Sequence, residues 1–203
     1  MRATLPARRK NRVNGCYFRA MEHEPLAFRI LGPLEVVAGN APVALGGTKA
    51  RALLALLLLH ANQTISRERL IDELWGERPP RAVEAELRVY VAKLRKALGP
   101  TILVTRPYGY ALLVDPDQLD SARFERLAAE GARLLAGGDA HAAGSALGEA
   151  LALWRGPVLA DLAYEPFVQN EARRLDELRL AALEERVDAD LALGRHRDVL
   201  AEL

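Results

Sequence analysis

Arg81, Arg88, Lys93, Arg95 and Lys96 fall within one short stretch, GERPPRAVEAELRVYVAKLRKALG at residues 76–99. Cations at this density suit one kind of chemistry. Arginine forks onto phosphate oxygens and guanine edges, and lysine brings a point charge to phosphate. Glu84 and Glu86 interrupt the run, and a polyanion repels them. Whether the stretch reads nucleic acid or is a solvated helix face therefore turns on where each residue points.

Pro79 and Pro80 suit the opening of a helix from about Arg81 to Leu98, closed by Gly99-Pro100. With residues placed at about 100° intervals, Val83, Leu87, Tyr90, Val91, Leu94 and Leu98 gather in one direction as a core stripe. Arg81, Ala85, Arg88, Val89, Ala92, Lys93 and Lys96 occupy the opposite face, and the two glutamates sit on its flanks. Ala85 and Ala92 are small enough to let a helix sit deep in a major groove. Val89 is apolar where solvent alone favours a polar residue, and it can touch a thymine methyl. Arg88 and Lys93 are placed for guanine edges, and Arg81, Lys96 and Arg95 for phosphates. The competing reading is a solvated face on which Glu84 pairs with Arg88 four residues on, worth roughly 0.2–0.5 kcal/mol.

Such a helix needs a scaffold, and the flanking sequence predicts one. AFRILGPLEVVAGNAPVAL, from Ala27, mixes apolar and β-branched residues with turn signals at Gly32-Pro33 and Gly39-Asn40, which predicts short antiparallel strands. Thr48 is placed to cap an almost wholly apolar helix, and Ser66 to cap a second one ending at Gly76. TILVTRPYGYALLV predicts a hairpin turning at Arg106 to Gly109. Sheet, three helices and hairpin together define a winged helix-turn-helix. In that frame Arg106 at the hairpin tip is placed for a minor groove, and Tyr108 either for packing or for DNA backbone. Lys49 and Arg51 open the first helix, where they can join its free N–H groups in binding phosphate.

The remaining residues predict helices only. Asp120 or Ser121 starts one that stops at Gly137-Gly138. A second carries Ala143, Ala146, Leu147, Ala150, Leu151 and Trp154 in register and stops at Gly156-Pro157. A third spans roughly 167 to 193, and its apolar positions form no single stripe, which predicts burial on two sides. Stacked helix pairs of the tetratricopeptide kind fit this pattern. Val199, Leu200 and Leu203 begin a further helix without a following partner, which predicts a chain cut short at its C-terminus. The expected fold is thus mostly α with small antiparallel β. Residues 1–26 are either a disordered basic arm or lie ahead of a true start at Met21, 27–115 form the winged helix, and 116–203 form an incomplete helical domain.

Charge follows the same division. Residues 1–20 hold six arginines and lysines and no acid, residues 27–114 hold twelve against seven, and residues 115–203 hold ten against eighteen. A basic module facing a polyanion and an acidic module facing something else fit that asymmetry. An enzyme is not expected. GGTKA lacks the spacing of a phosphate loop. His23, His60, His141 and His196 are scattered, with no Cys or His at metal spacing, and no nucleophile–base arrangement can be drawn. No catalytic residue, metal or cofactor is therefore assigned. The single Cys16 fits a reducing cytoplasm, and the longest apolar run, 52–61, is about half a membrane span.

The motifs LGPLEV, LGGTKARALLALLLLHANQTISRERLIDELWG, PP, YVAKLRKALG and GYAL resemble the OmpR-type winged helix of the antibiotic regulatory activators, the SARP family. ALGEALALWRGPVLADL and EARRLDELRLAALEERVDADLALGRH resemble the bacterial transcriptional activator domain that follows it. The resemblance runs from about Ala27 to Leu203, and it implies a cytoplasmic, nucleoid-associated activator of secondary-metabolite gene clusters such as those for antibiotics. It implies double-stranded DNA carrying promoter direct repeats as one partner, RNA polymerase subunits near the loop GERPPR as another, and a homodimer on DNA. It also implies DNA backbone contacts from Trp75 and Tyr90. The alternative is an interaction module that docks protein partners without reading DNA, which the acidic flanks of the helix favour.

Overall fold

The computed structural model describes residues 25–195. The basic arm and the closing residues Val199, Leu200 and Leu203 lie outside the described residues. Leu26–Arg29 (β1), Glu35–Ala38 (β2) and Ala41–Pro42 (β3) form an antiparallel sheet. Its register pairs Arg29 with Glu35 and Ala38 with Ala41, so Gly39-Asn40 is a two-residue turn. Gly39 takes φ +56° there, a conformation that costs glycine nothing.

Thr48–Leu59 (α1) is buried without interruption from Ala52 to Leu58. Each leucine so buried is worth about 1.5–3 kcal/mol of transfer free energy. Thr48 does not cap this helix. Gly47 is the N-cap, no side chain completes it, and Thr48 is already the first helical residue. Arg67–Trp75 (α2) follows the short strand Ile65–Ser66 (β4), and Ser66 caps it as expected, accepting from the Arg69 N–H at 3.2 Å. Val83–Leu98 (α3) starts two residues later than the sequence suggests. The Val83 N–H donates to the Pro80 carbonyl at 3.2 Å in a turn, and Ala82 at φ −111° stays outside the helix. Leu103–Arg106 (β5) and Gly109–Leu112 (β6) form the hairpin, with β6 between β5 and β4.

Asp120–Ala136 (α4), Ala140–Leu151 (α5) and Pro166–Ala192 (α6) make the helical half. At Gly131 of α4 an added Cβ would lie 2.5 Å from Leu147 Cγ, so glycine lets α4 and α5 approach closely. Helix α5 ends at Leu151. Trp154 therefore sits past it, edge-on to Phe124 with ring centres 5.3 Å apart. Helix α6 departs from expectation too. Its buried residues, Val168, Leu175, Ala182 and Ala189, form one stripe, while Leu180, Leu183 and Leu191 remain exposed on the other side.

The two halves share a core. Phe28 of β1, with Leu31 and Leu34 of the connection to β2, belongs to one apolar cluster with Phe124, Leu147, Leu159 and Leu162. Asp120 starts α4 as expected, and its carboxylate crosses to the end of β1, accepting from the Ile30 N–H at 2.8 and 3.0 Å and from the Leu31 N–H at 3.0 Å. The Arg155 guanidinium lies 2.9 Å from Glu35 and 3.8 Å from Asp120, and donates to the Pro33 carbonyl at 3.1 Å. Gly32 at φ +153° leaves room for it, since a Cβ there would stand 3.0 Å from Arg155 Cβ. Burial pushes the Asp120 carboxyl above its usual value, against the opposing pull of the two N–H groups and of Arg155.

Candidate nucleic-acid interface

Helix α3 separates its residues by face as its period requires. Leu87, Val91, Leu94 and Leu98 are buried, and Val83 and Tyr90 are partly so. Arg81, just ahead of the helix, and Ala85, Arg88, Val89, Ala92, Lys93 and Lys96 on it are all exposed. Glu84 and Glu86 stand in the first turn and Arg95 and Lys96 in the last, the order that suits the helix dipole. Gly99 ends the helix at φ +97°. Glu84 lies 3.5 Å from Arg88, a pair exposed on both sides and so of small energetic weight.

Two attachments fix α3 in place. Toward α2, Trp75 and Tyr90 stack at a tilt with ring centres 6.2 Å apart, and Lys93 Nζ sits 5.4 Å from the Tyr90 ring centre. Trp75 and Tyr90 are partly buried in this contact. Toward the hairpin, Arg95 Nε donates to the Leu103 carbonyl at 2.8 Å and its Nη2 to the Thr105 hydroxyl at 2.7 Å. The Arg95 side chain thus ties the helix to β5.

The hairpin is the wing. Arg106 pairs with Gly109 across the turn, and Pro107-Tyr108 form its tip. Arg106 is exposed, and Tyr108 is 80% exposed. Gly109 is the position where β6 passes β4: a Cβ there would fall 1.8 Å from the Ile65 carbonyl oxygen. Arg67 is a contributor that sequence reasoning missed. Its N–H donates to the Tyr108 carbonyl at 3.0 Å, its Nη1 to the Pro107 carbonyl at 3.3 Å, and its guanidinium lies 5.8 Å from the Tyr110 ring centre. An arginine next to a cap residue carries no sequence signal for that task, because its partners lie forty positions downstream.

Lys49 and Arg51 are not part of this face. Lys49 Nζ donates to the Leu74 carbonyl at 2.5 Å and lies 3.8 Å from Glu165. Arg51 donates to Asp161 at 2.5 Å and to the Leu34 carbonyl at 2.7 Å. Both cations are turned into the junction between the halves, where acids of the helical half neutralise them. Burial raises the Asp161 carboxyl, but the Arg51 guanidinium and the Leu34 N–H outweigh it and hold the group below its usual value. Among the described residues, no helix is long and apolar enough to cross a membrane.

A three-helix unit with a wing, carrying an exposed cationic face on its third helix and joined to stacked helices, is the architecture of a two-domain winged-helix regulator. Residues 40–112 match the family described as transcriptional regulatory protein, C terminal, and residues 119–203 match the bacterial transcriptional activator domain. The chain is 41% identical over 189 residues to the regulatory protein AfsR of Streptomyces coelicolor, covering 92% of this chain and 19% of that protein. It is 36% identical to the regulatory protein DnrI of Streptomyces peucetius, covering 88% of this chain and 70% of that protein. The solved structure of Mycobacterium tuberculosis EmbR, in complex with a low affinity phosphopeptide, superposes with a TM-score of 0.86 at 36% identity, over 89% of this chain and 49% of that one. The chain belongs to the SARP family of transcriptional regulators. It spans about a fifth of the AfsR proteins and about half of EmbR.

Proposed function

We propose that this protein is a sequence-specific DNA-binding transcriptional activator that lays α3 in a major groove and its wing along the neighbouring backbone and minor groove. The observation that carries the reading is the outward face of α3. Arg81, Arg88, Val89, Lys93 and Lys96 are exposed together, while Leu87, Val91, Leu94 and Leu98 anchor the opposite side. Arg88 and Lys93 are suited to guanine edges, and Arg81, Lys96, Arg106 and Tyr108 to the phosphate backbone and minor groove. Trp75 and Tyr90 position the helix and present their edges to the backbone, and Arg95 holds helix and wing at a fixed distance. Lys49 and Arg51 join the halves and do not touch DNA.

The exposed loop of residues 76–81, between α2 and α3, is the surface for RNA polymerase subunits in this reading. Two copies of the chain bind neighbouring direct repeats at the promoters of a secondary-metabolite cluster, in the cytoplasm at the nucleoid. Support for these finer points is the membership of the SARP family. A second reading, docking of protein partners without DNA, draws on the exposed Leu180, Leu183 and Leu191 of α6.

Selection from a random duplex library with the full chain at moderate salt decides between them. Enrichment of direct repeats spaced about one helical turn apart supports the activator. A folded protein that enriches no sequence, and whose DNA affinity does not fall with salt, contradicts it.

A further inference from the structure

An apolar patch interrupts the cations of the α3 face. Val89 is 50% exposed there, and Ala85 and Ala92, one turn to either side, are exposed with it, with Lys93 and Lys96 flanking them. The nearest polar groups stand off this line. Arg88 is paired with Glu84 at 3.5 Å, and Lys93 lies against the Tyr90 ring. In the free protein Val89 contributes little, because a β-branched residue at an exposed helical site loses rotamer freedom and leaves apolar surface in water. Its two methyl groups gain a partner only when something apolar meets them.

In a major groove the apolar group available is the methyl at C5 of a pyrimidine. Resting on the reading of α3 proposed above, we propose that Val89 makes this interface a reader of 5-methylpyrimidines: thymine, and equally 5-methylcytosine. Valine neither donates nor accepts a hydrogen bond, so it is indifferent to whether position 4 of the pyrimidine carries a carbonyl or an amino group. Ala85 and Ala92 are equally indifferent, and their small size lets the helix come close enough for contact. Binding therefore responds to cytosine methylation at the pyrimidine that faces Val89.

The test uses duplexes enriched by the full chain in the library selection. Each thymine is replaced in turn by deoxyuridine, which removes the methyl and nothing else. At the responding position cytosine and 5-methylcytosine are then compared. One pyrimidine per half-site is expected at which uracil weakens binding about fourfold, the worth of one buried methyl group. 5-Methylcytosine is expected to exceed cytosine there by a similar factor. Val89→Ala, at an exposed position where alanine favours helix, is expected to stay folded by circular dichroism and to abolish both differences. If wild type and Val89→Ala respond alike to methyl removal at every position while still binding the selected site, the assignment to Val89 is overturned and the DNA-reading role of α3 stands. If no duplex is enriched, both fall.

Discussion

Arg95, in the last turn of α3, reaches across to the wing strand and places Nη2 2.7 Å from the hydroxyl of Thr105. Its Nε is meanwhile committed to the Leu103 carbonyl at 2.8 Å. A cation held twice in this way is a strut, and its charge faces the wing before it faces any phosphate. Arg95→Ala is expected to lower stability by about 1–2 kcal/mol, the scale of lost hydrogen bonds from a charged donor. It is also expected to weaken DNA binding without changing the slope of affinity against salt. A slope shallower by about one, as for Lys96→Ala, would instead mark Arg95 as a phosphate contact.

Gly109 sets the height of the wing. An alanine Cβ would stand 1.8 Å from the backbone oxygen of Ile65, and backbone cannot rotate away as a side chain does. Gly109→Ala is expected to separate β6 from β4 at a cost of at least about 2 kcal/mol and to release the Arg67 bonds to the wing tip. Thermal unfolding and DNA affinity measured on the same sample check this. An unchanged melting temperature would contradict the close approach.

Asp120 is the clasp between the halves. Its carboxylate answers two buried backbone donors, those of Ile30 and Leu31, so Asp120→Ala leaves both unsatisfied. The expected loss is about 2–4 kcal/mol, one desolvation penalty for each orphaned N–H. The pH dependence has a definite sign. Burial raises the folded-state pKa above the ordinary value of 3.8, so the folded protein binds the proton more tightly than the unfolded chain. Stability from this group is therefore full below 3.8 and is lost as pH rises through the folded value. Relative to Asp120→Asn, which does not titrate, the wild type is expected to lose stability across that acid window and then hold level. A wild type that instead loses stability relative to Asp120→Asn as the solution is acidified would show the opposite shift.

Local patterns in the sequence were enough for α3 and for the wing. Helical period alone separates Leu87, Val91, Leu94 and Leu98 from Arg88, Val89 and Lys93, and turn chemistry alone places Gly39-Asn40 and the tip at Pro107-Tyr108. Long-range pairing was not legible. Lys49 and Arg51 open a helix in the manner of phosphate ligands, yet Glu165 and Asp161, more than a hundred positions away, claim them. Asp120 starts its helix as the sequence suggests, but nothing local shows that it also serves as the acceptor for a strand end ninety positions upstream. Arg95 joins the cationic run in sequence but leaves it in space. On α6 the apolar residues predicted burial on two sides, whereas the stripe from Val168 to Ala189 is covered and Leu180, Leu183 and Leu191 are exposed.

DNA reading rests on the outward face of α3, and Arg88 tests it most directly. Parallel library selections with wild type and Arg88→Ala, at the same salt, compare the information at each base position. The prediction is loss of preference at one base pair per repeat, with affinity for the wild-type site lower by about 1–3 kcal/mol. The same motif at the same affinity from both proteins would contradict it, and would mean that this face of α3 does not read DNA.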